Sequence, residues 1–276
     1  MNKLLFCVTC TSLIIIFSCK NKADYFFGVE EKGFLLDNKV PNPNLDDNII
    51  YTRGAEFTYS YKFFQNDTLK KCSIKLETRN MKPILSIPQS NTEGELELDS
   101  IKLYVYTGKG DISLAKSQSI IKYDYYIGDR KFFLGEQTGV VEEPASIFLH
   151  PPRSYCFIST CLHPFPYIKL PLSIGSAWEA HFGIPSYAYE DQFLKERMEK
   201  FPESLDMNYE VERIEKLNTK MGAIECFVIN GIASYKNNKV TQLKMFFNEQ
   251  FGFVKLDYYN HFDSTKLVLD LEKVKK

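Results

Sequence analysis

The chain lacks several features, and each absence removes a class of function. There is no surplus of positive charge, because Lys+Arg number 34 against Asp+Glu 35, a net charge of -1. Nothing is therefore left over to neutralise a phosphate backbone, and a nucleic-acid partner is disfavoured. Glycine and proline, 14 and 12 of 276 residues, are too few for a collagenous or low-complexity chain. No Gly-x-Ser-x-Gly, His-Glu-x-x-His, phosphate-cradling glycine loop or EF-hand pattern occurs, so no enzymatic reading has a motif behind it. Ser113 and Lys116 have a Ser-x-x-Lys spacing, but they lie between strand-like segments and no Ser-Asp-Asn or Lys-Thr-Gly follows. Beyond residue 17 no apolar run is long enough to cross a bilayer as a helix. What is present is the composition of a folded protein, 44% hydrophobic and 25% charged, with 22 Phe and 17 Tyr. Those two residues favour strands and large packing surfaces. The length suits one large or two small domains.

The N-terminus carries an address. Lys3 precedes an uncharged run, Leu4 to Phe17, that is too short for a membrane span and matches the core of a signal peptide. Ile16-Phe17-Ser18-Cys19 then resembles the lipobox of bacterial lipoproteins. The resemblance implies cleavage before Cys19, a diacylglycerol on its thiol, further acylation by a palmitate-type chain, and residence in the cell envelope. Lys20, rather than Asp, follows the cysteine, which under the enterobacterial sorting rule implies the outer membrane. Two or more acyl chains make a stable anchor. Residues 1–18 thus read as signal peptide, and 19–48, polar and rich in Asn and Asp, as a lipid-anchored tether.

Of seven cysteines, Cys72, Cys156, Cys161 and Cys226 lie downstream of the anchor. Four thiols in an oxidising compartment allow three pairings, and sequence does not choose among them. Cys156 and Cys161 are close enough to pair across a turn, while buried thiols would serve a chain of this size equally well. His150, Cys156, Cys161 and His163 also form the one cluster with zinc-ligand chemistry. Its spacing matches no standard knuckle, and prolines follow both histidines, so the expectation is no metal and no cofactor. His181 and His261 stand alone.

From Gly54 onward the apolar pattern has period two. Phe57, Tyr59, Tyr61 and Phe63 alternate with polar residues, and Gln65-Asn66-Asp67 marks a turn into a strand over Leu69–Thr78. In Glu95–Tyr106 the apolar parity changes, so a bulge is expected near Asp99-Ser100. Ile120–Ile127 and Lys131–Leu134 read as a hairpin about Gly128-Asp129. Seven prolines between 144 and 186 predict edge strands and irregular connections, a natural divider between two halves. Glu190–Phe201 reads as the one helix. Five strands follow, Met207–Leu217, Ala223–Tyr235, Val240–Asn248, Gly252–Tyr259 and Thr265–Val274, with connectors short enough for antiparallel hairpins. The fold class is mainly β, a curved antiparallel sheet or half-barrel with one short helix. The expected parts are an N-terminal β region over 49–150 and a C-terminal one over 151–276, with room for two β subdomains.

Three phrases carry a resemblance in the C-terminal part. They are Pro164-Phe165-Pro166 with Leu170-Pro171-Leu172, Gly175 and Trp178; Gly222 through Ile229; and Phe246-Phe247-Asn248-Glu249 with Phe251 through Leu256. Together they resemble uncharacterised Gram-negative envelope lipoproteins similar to the lipoprotein-carrier (LolA/LolB-type) half-barrels. This implies a curved sheet with aromatics on its concave face, and no catalytic residues.

Candidate ligand-facing residues are Tyr104, Tyr106, Tyr123, Tyr125, Tyr126, Tyr258 and Tyr259, which would line a cleft for lipid or glycan or else pack strands. Asp67-Thr68-Leu69, Asp99-Ser100-Ile101 and Asp263-Ser264-Thr265 resemble a short O-glycosylation sequon of envelope proteins, and each also suits a turn. The expected function is a non-catalytic envelope lipoprotein, held to the membrane by Cys19, that binds an amphiphilic ligand or an envelope partner. The alternatives are a structural lipoprotein with a filled core and, more weakly, a zinc protein. Trp178 is expected to be buried.

Overall fold

Alternation at period two produces the first strand, β1 (Glu56–Gln65), whose Phe57, Tyr59 and Phe63 are buried. In the computed structural model, residues 48–76, 83–86, 96–109, 118–131, 135–184, 204–234, 240–261 and 263–276 are described. The signal peptide, nearly all of the tether, Ser113 with Lys116, and the helix read over Glu190–Phe201 lie outside them.

The turn after β1 follows the local chemistry. Asn66 and Asp67 both have positive φ, 49° and 58°, and Gln65 faces Thr68 across a two-residue turn. That twist matches the strands it joins. The strand expected over Leu69–Thr78 is broken in two, β2 (Thr68–Lys70) on the main sheet and β3 (Ser73–Leu76) on a small one. Between them Cys72, fully buried and disulfide-bonded, donates its amide to Tyr61 Oη at 3.2 Å. β4 (Pro83–Ser86) and β5 (Leu96–Glu97) complete the small sheet.

The parity change near Asp99 has a different cause from the expected bulge. β5 belongs to the small sheet and β6 (Ser100–Val105) to the large one. Leu98 donates to the Cys72 carbonyl and Asp99 to that of Tyr126, so the chain changes sheets between them. The two apolar sets differ in parity because the chain passes from one sheet to the other between them.

β7 (Ser119–Ile127) and β8 (Arg130–Lys131) form the expected hairpin at Gly128. β9 (Glu136–Glu143) and β10 (Ser146–Leu149) follow, then a 3-10 helix (Tyr155–Leu162), β11 (Tyr167–Lys169) and β12 (Ala177–Gly183). The C-terminal strands are β13 (Ser204–Thr219), β14 (Gly222–Ser234), β15 (Val240–Asn248), β16 (Gly252–Asn260) and β17 (Thr265–Lys275), each paired antiparallel with its neighbour. The main sheet runs β11-β10-β9-β7-β6-β1-β17-β16-β15-β14-β13-β12, with β2 and β8 appended. β1 is the joint, pairing with β6 on one edge and β17 on the other, so strands from both sides of residue 150 share one sheet.

This sheet goes further round than a half-barrel. β11 and β12, its two ends, approach each other through rings instead of backbone hydrogen bonds. Tyr167 of β11 meets Trp178 of β12 edge-on at 6.3 Å and Tyr209 of β13 at 5.8 Å. Phe148 of β10 stacks on Phe182 of β12 at 5.3 Å. Trp178 is 7% exposed and stacks on Tyr209 at 5.5 Å, the packing its surroundings in the sequence predict. The barrel is nearly closed, and its seam is aromatic.

The proline-marked stretch is irregular, as expected, and it contributes β10, β11 and β12, of which β11 and β12 are the two edges of the sheet while β10 is paired on both sides. The stretch is not peripheral, however. Phe157 packs against Tyr61 of β1 and Tyr125 of β7. The Leu162 carbonyl accepts from Thr241 of β15, and the Phe165 carbonyl from Tyr209 of β13. His163 meets Tyr258 of β16 edge-on, and the His150 carbonyl accepts from Tyr123 of β7. A segment touching strands all round the sheet lies inside it. Residues 157–168 are all buried, and those before β11, 157–166, fill the barrel.

Candidate functional site

The described interior is packed with buried side chains. Burial pushes the phenols of Tyr51, Tyr59, Tyr123, Tyr209 and Tyr258 well above their ordinary range, so they act as neutral packing and hydrogen-bonding groups. The seven tyrosines considered for a cleft do not come together. Tyr123, Tyr125 and Tyr258 point into the core, Tyr104 and Tyr106 are exposed, Tyr126 lies under Lys102 Nζ at 4.2 Å, and Tyr259 pairs with His261. Strand parity divides them between two faces.

His150 and His163 are both buried. Burial lowers the His163 imidazole to about 4, even though Nδ1 lies 2.8 Å from the Ser159 carbonyl that it can donate to. Burial, with a smaller push from Arg153, takes His150 well below its usual value. Cys161 is a buried thiol, as is Cys226, whose thiol burial raises to about 11. The side chain of Cys156 lies outside the description. Among the described residues no group of three or more His, Cys, Asp or Glu is placed to hold a metal ion. His181 is exposed beside Asp206, with Nδ1 2.6 Å from Oδ1. At the sequon-like sites, Thr68 is exposed in a hairpin, Ser100 begins β6, and Ser264 takes φ 52° in a turn where Asp263 accepts from Thr265.

Carboxylates read in the sequence as solvated faces of strands, yet Asp124, Glu136 and Glu142 are buried, and the last two bind distant backbone amides. Glu136 Oε2 accepts from the amides of Arg153 and Ser154 at 2.7 and 2.9 Å and from Tyr125 at 3.2 Å. Its Oε1 takes Arg153 Nε at 3.4 Å, and Arg153 also donates to Thr138. Every oxygen is engaged, so the cluster pins the interior segment to the wall. Glu142 does the equivalent at the start of the domain. Oε1 accepts from the amides of Ile49 and Ile50 at 2.7 and 2.9 Å, and Oε2 from that of Tyr51 at 2.9 Å. Three successive N–H groups form an anion nest, and the protein's own carboxylate fills it. Neither Glu136 nor Glu142 has a signal in local sequence, because its partners lie far away in the chain.

Next to that nest is an open cleft of about 320 Å³. Its apolar wall is Ile49, Ile50, Ile147, Leu170 and Phe247, with Pro144, and Glu142, Glu143 and Glu249 complete the lining. Ile49 is 75% exposed, a large side chain left in water at the cleft mouth. Three local structures build the site: the segment entering β1, the β9–β10 turn, and the β15–β16 turn. In the last, Asn248 Oδ1 caps the amides of Gln250 and Phe251. Gly252 follows with φ 75°, and a Cβ there would stand 2.7 Å from Tyr51 Oη. A larger groove of about 670 Å³ lies under the β13–β14 tip. Its charges pair among themselves, Lys62 and Lys255 with Asp270 and Lys220 with Glu272.

No protein-family profile and no curated protein matches the chain. Among solved structures it is similar to a Bacteroides fragilis protein provisionally described as exported, with a YmcC-like fold. That match has 11% identity and a TM-score of 0.41, and covers 83% of this chain and 98% of the other. A Parabacteroides distasonis protein provisionally described as a lipoprotein matches at 12% and 0.42, covering 82% and 97%. The hypothetical lipoprotein YmcC of Escherichia coli matches at 10% and 0.31, covering 83% and 92%. None of the three is named as a lipoprotein carrier of the LolA/LolB type.

Proposed function

We propose that this protein is a lipid-anchored, non-catalytic protein of the cell envelope that holds an amphiphilic ligand in the open cleft where the tether meets the barrel. Anchoring rests on the Leu4–Phe17 run and the Ile16-Phe17-Ser18-Cys19 lipobox. One observation carries the ligand reading. Residues 157–166 lie buried in the barrel interior, while an apolar cleft at the low end of the roughly 300–1,000 Å³ typical of small-molecule sites stays open beside Ile49. Cargo enclosed within the barrel would compete with these buried residues for space. A cleft that grips one chain of an amphiphile would not.

The filled core equally favours a second reading, a structural lipoprotein whose barrel serves only as a scaffold. Nile red, a neutral apolar dye, separates the two. Saturable binding that Ile49→Arg and Leu170→Arg abolish supports the ligand reading; Ile49 is exposed, whereas Leu170 is half-buried against the core, so its variant counts only with an unchanged urea midpoint. Dye binding unchanged by either substitution, or none at all, favours the scaffold. For the anchor, Cys19→Ala is expected to move the protein out of the membrane fraction. A variant that still pellets with membranes overturns it.

A further inference from the structure

We infer that the cleft selects a cationic amphiphile, an aliphatic chain ending in an amine or ammonium group. This rests on the amphiphile reading above and adds the sign of the head group.

The argument concerns the rim. Glu143, half-buried on the β9–β10 turn, and Glu249, exposed on the β15–β16 turn, approach the same cleft from two separate hairpins. Neither carboxylate has an ion pair or hydrogen bond among the described residues. Many acids on the sheet are matched, Asp124 by Lys122 and Lys131, Asp257 by Lys266, Glu212 and Glu215 by Arg213. Glu179, Glu210 and Glu225 are exposed without such a pair among the described residues, so what sets Glu143 and Glu249 apart is that they border an apolar cleft. The rim is also poor in donors. The amides of Ile49, Ile50 and Tyr51 already serve Glu142, so an anionic head group would find that nest taken and two like charges beside it.

Two cations stand close by, and neither cancels this bias. Lys109 Nζ is buried and donates to the Glu142 carbonyl at 2.9 Å. Lys276 Nζ donates to the carbonyls of Ile49 and Gln250, each at 3.2 Å, and pairs with neither rim carboxylate. The Lys276 contacts show what the rim accepts: an ammonium group on the end of an aliphatic stem settles on its carbonyl oxygens. Lys276 holds those carbonyls, so a ligand amine would pair with the carboxylates of Glu143 and Glu249, with its chain directed along Ile147, Leu170 and Phe247. Opposite charge at the rim and apolar contact below are complementary to one molecule of that type.

The test uses the mature chain carrying Cys19→Ser, so that neither an acyl anchor nor detergent competes. Dodecylamine, dodecanol and dodecanoate, each below its micelle concentration, displace Nile red. The expected result is displacement by the amine at about tenfold lower concentration than by the carboxylate, from the like-charge penalty at the rim. Glu143→Gln with Glu249→Gln should bring the two within about twofold while leaving dodecanol unchanged, since the remaining difference is only long-range and screened. Equal or better displacement by dodecanoate overturns the charge selection and leaves the amphiphile reading standing. An amine preference that survives the double substitution overturns the role of these two carboxylates. Failure of Nile red and all three amphiphiles to bind removes both readings.

Discussion

Phe148 and Phe182 stack at 5.3 Å with their ring planes 17° apart, joining β10 to β12 where the sheet has no backbone hydrogen bonds. Phe165 of the interior segment rests against both rings, 5.8 Å from Phe148 and 5.0 Å from Phe182. The seam and the filling of the barrel are therefore one packing unit. Each of these rings is at most 2% exposed.

Phe182→Ala should cost about 3–5 kcal/mol in urea unfolding, the range for removing a buried ring that leaves a cavity. Phe148→Ala should cost a similar amount. The double variant should lose less than the sum, because the second truncation removes a contact already lost. Additive costs would mean that the two ends of the barrel are held independently of the stack.

Glu142→Ala should expose its role as a clamp. Ile50 and Tyr51 are 3% and 0% exposed, so their amides would be left buried without an acceptor. Each such donor costs about 1–3 kcal/mol. Hydrogen exchange at Ile50 and Tyr51 should accelerate well before exchange in β15 or β16. Glu142→Gln keeps one carbonyl oxygen and should be milder.

Gly252→Ala and Gly175→Ala separate backbone strain from steric collision. Both glycines have positive φ, 75° and 85°. A Cβ at Gly175 meets nothing within 4 Å, whereas at Gly252 it falls 2.7 Å from Tyr51 Oη and 2.9 Å from Ile50 Cγ2. The Gly175 variant should lose about 1 kcal/mol from its left-handed conformation alone. The Gly252 variant should lose clearly more, and Nile red binding with it, because Ile50 and the β15–β16 turn both line the cleft.

Stability should fall on mild acidification. His163 is lowered to about 4 in the folded state, against about 6.5 unfolded, so the unfolded chain binds more protons between those values. Folding free energy is therefore lost as pH drops through that window, by about 3 kcal/mol at 1.36 kcal/mol per pH unit. His150 is lowered in the same direction by the same burial. His163→Gln cannot take up this proton, so its urea midpoint should vary less than wild type between pH 6.5 and 4. Parallel curves would show that His163 does not contribute.

Strands were the legible part of this protein, since a period of two is a local property. Met207–Leu217 and the four strands after it are close to β13 through β17, and Asn66-Asp67 turns as its residue types require. Trp178 is buried as its neighbours suggest. Proline content pointed to edge strands and irregular connections over 144–186; β11 and β12 are edges, whereas β10 is paired on both sides. That content could not show that this stretch threads the barrel, because proline reports a missing amide donor and says nothing about which surface a loop covers. The parity change at Asp99 was visible, but a bulge and a change of sheet leave the same trace in one strand.

The chain by itself determined what neighbours in sequence can decide: the alternating faces, the tight turns, and the short apolar run ending in Ile16-Phe17-Ser18-Cys19. Tertiary structure alone decided that β1 joins β6 to β17, that rings close the seam, and that Glu142 grips Ile49 to Tyr51 from more than ninety residues away. It alone brought Glu143, Glu249 and Ile49 to one cleft. The physical reason is the same in each case. A carboxylate on a strand looks solvated until a distant segment supplies its donors or withholds them, and that choice belongs to the packed chain.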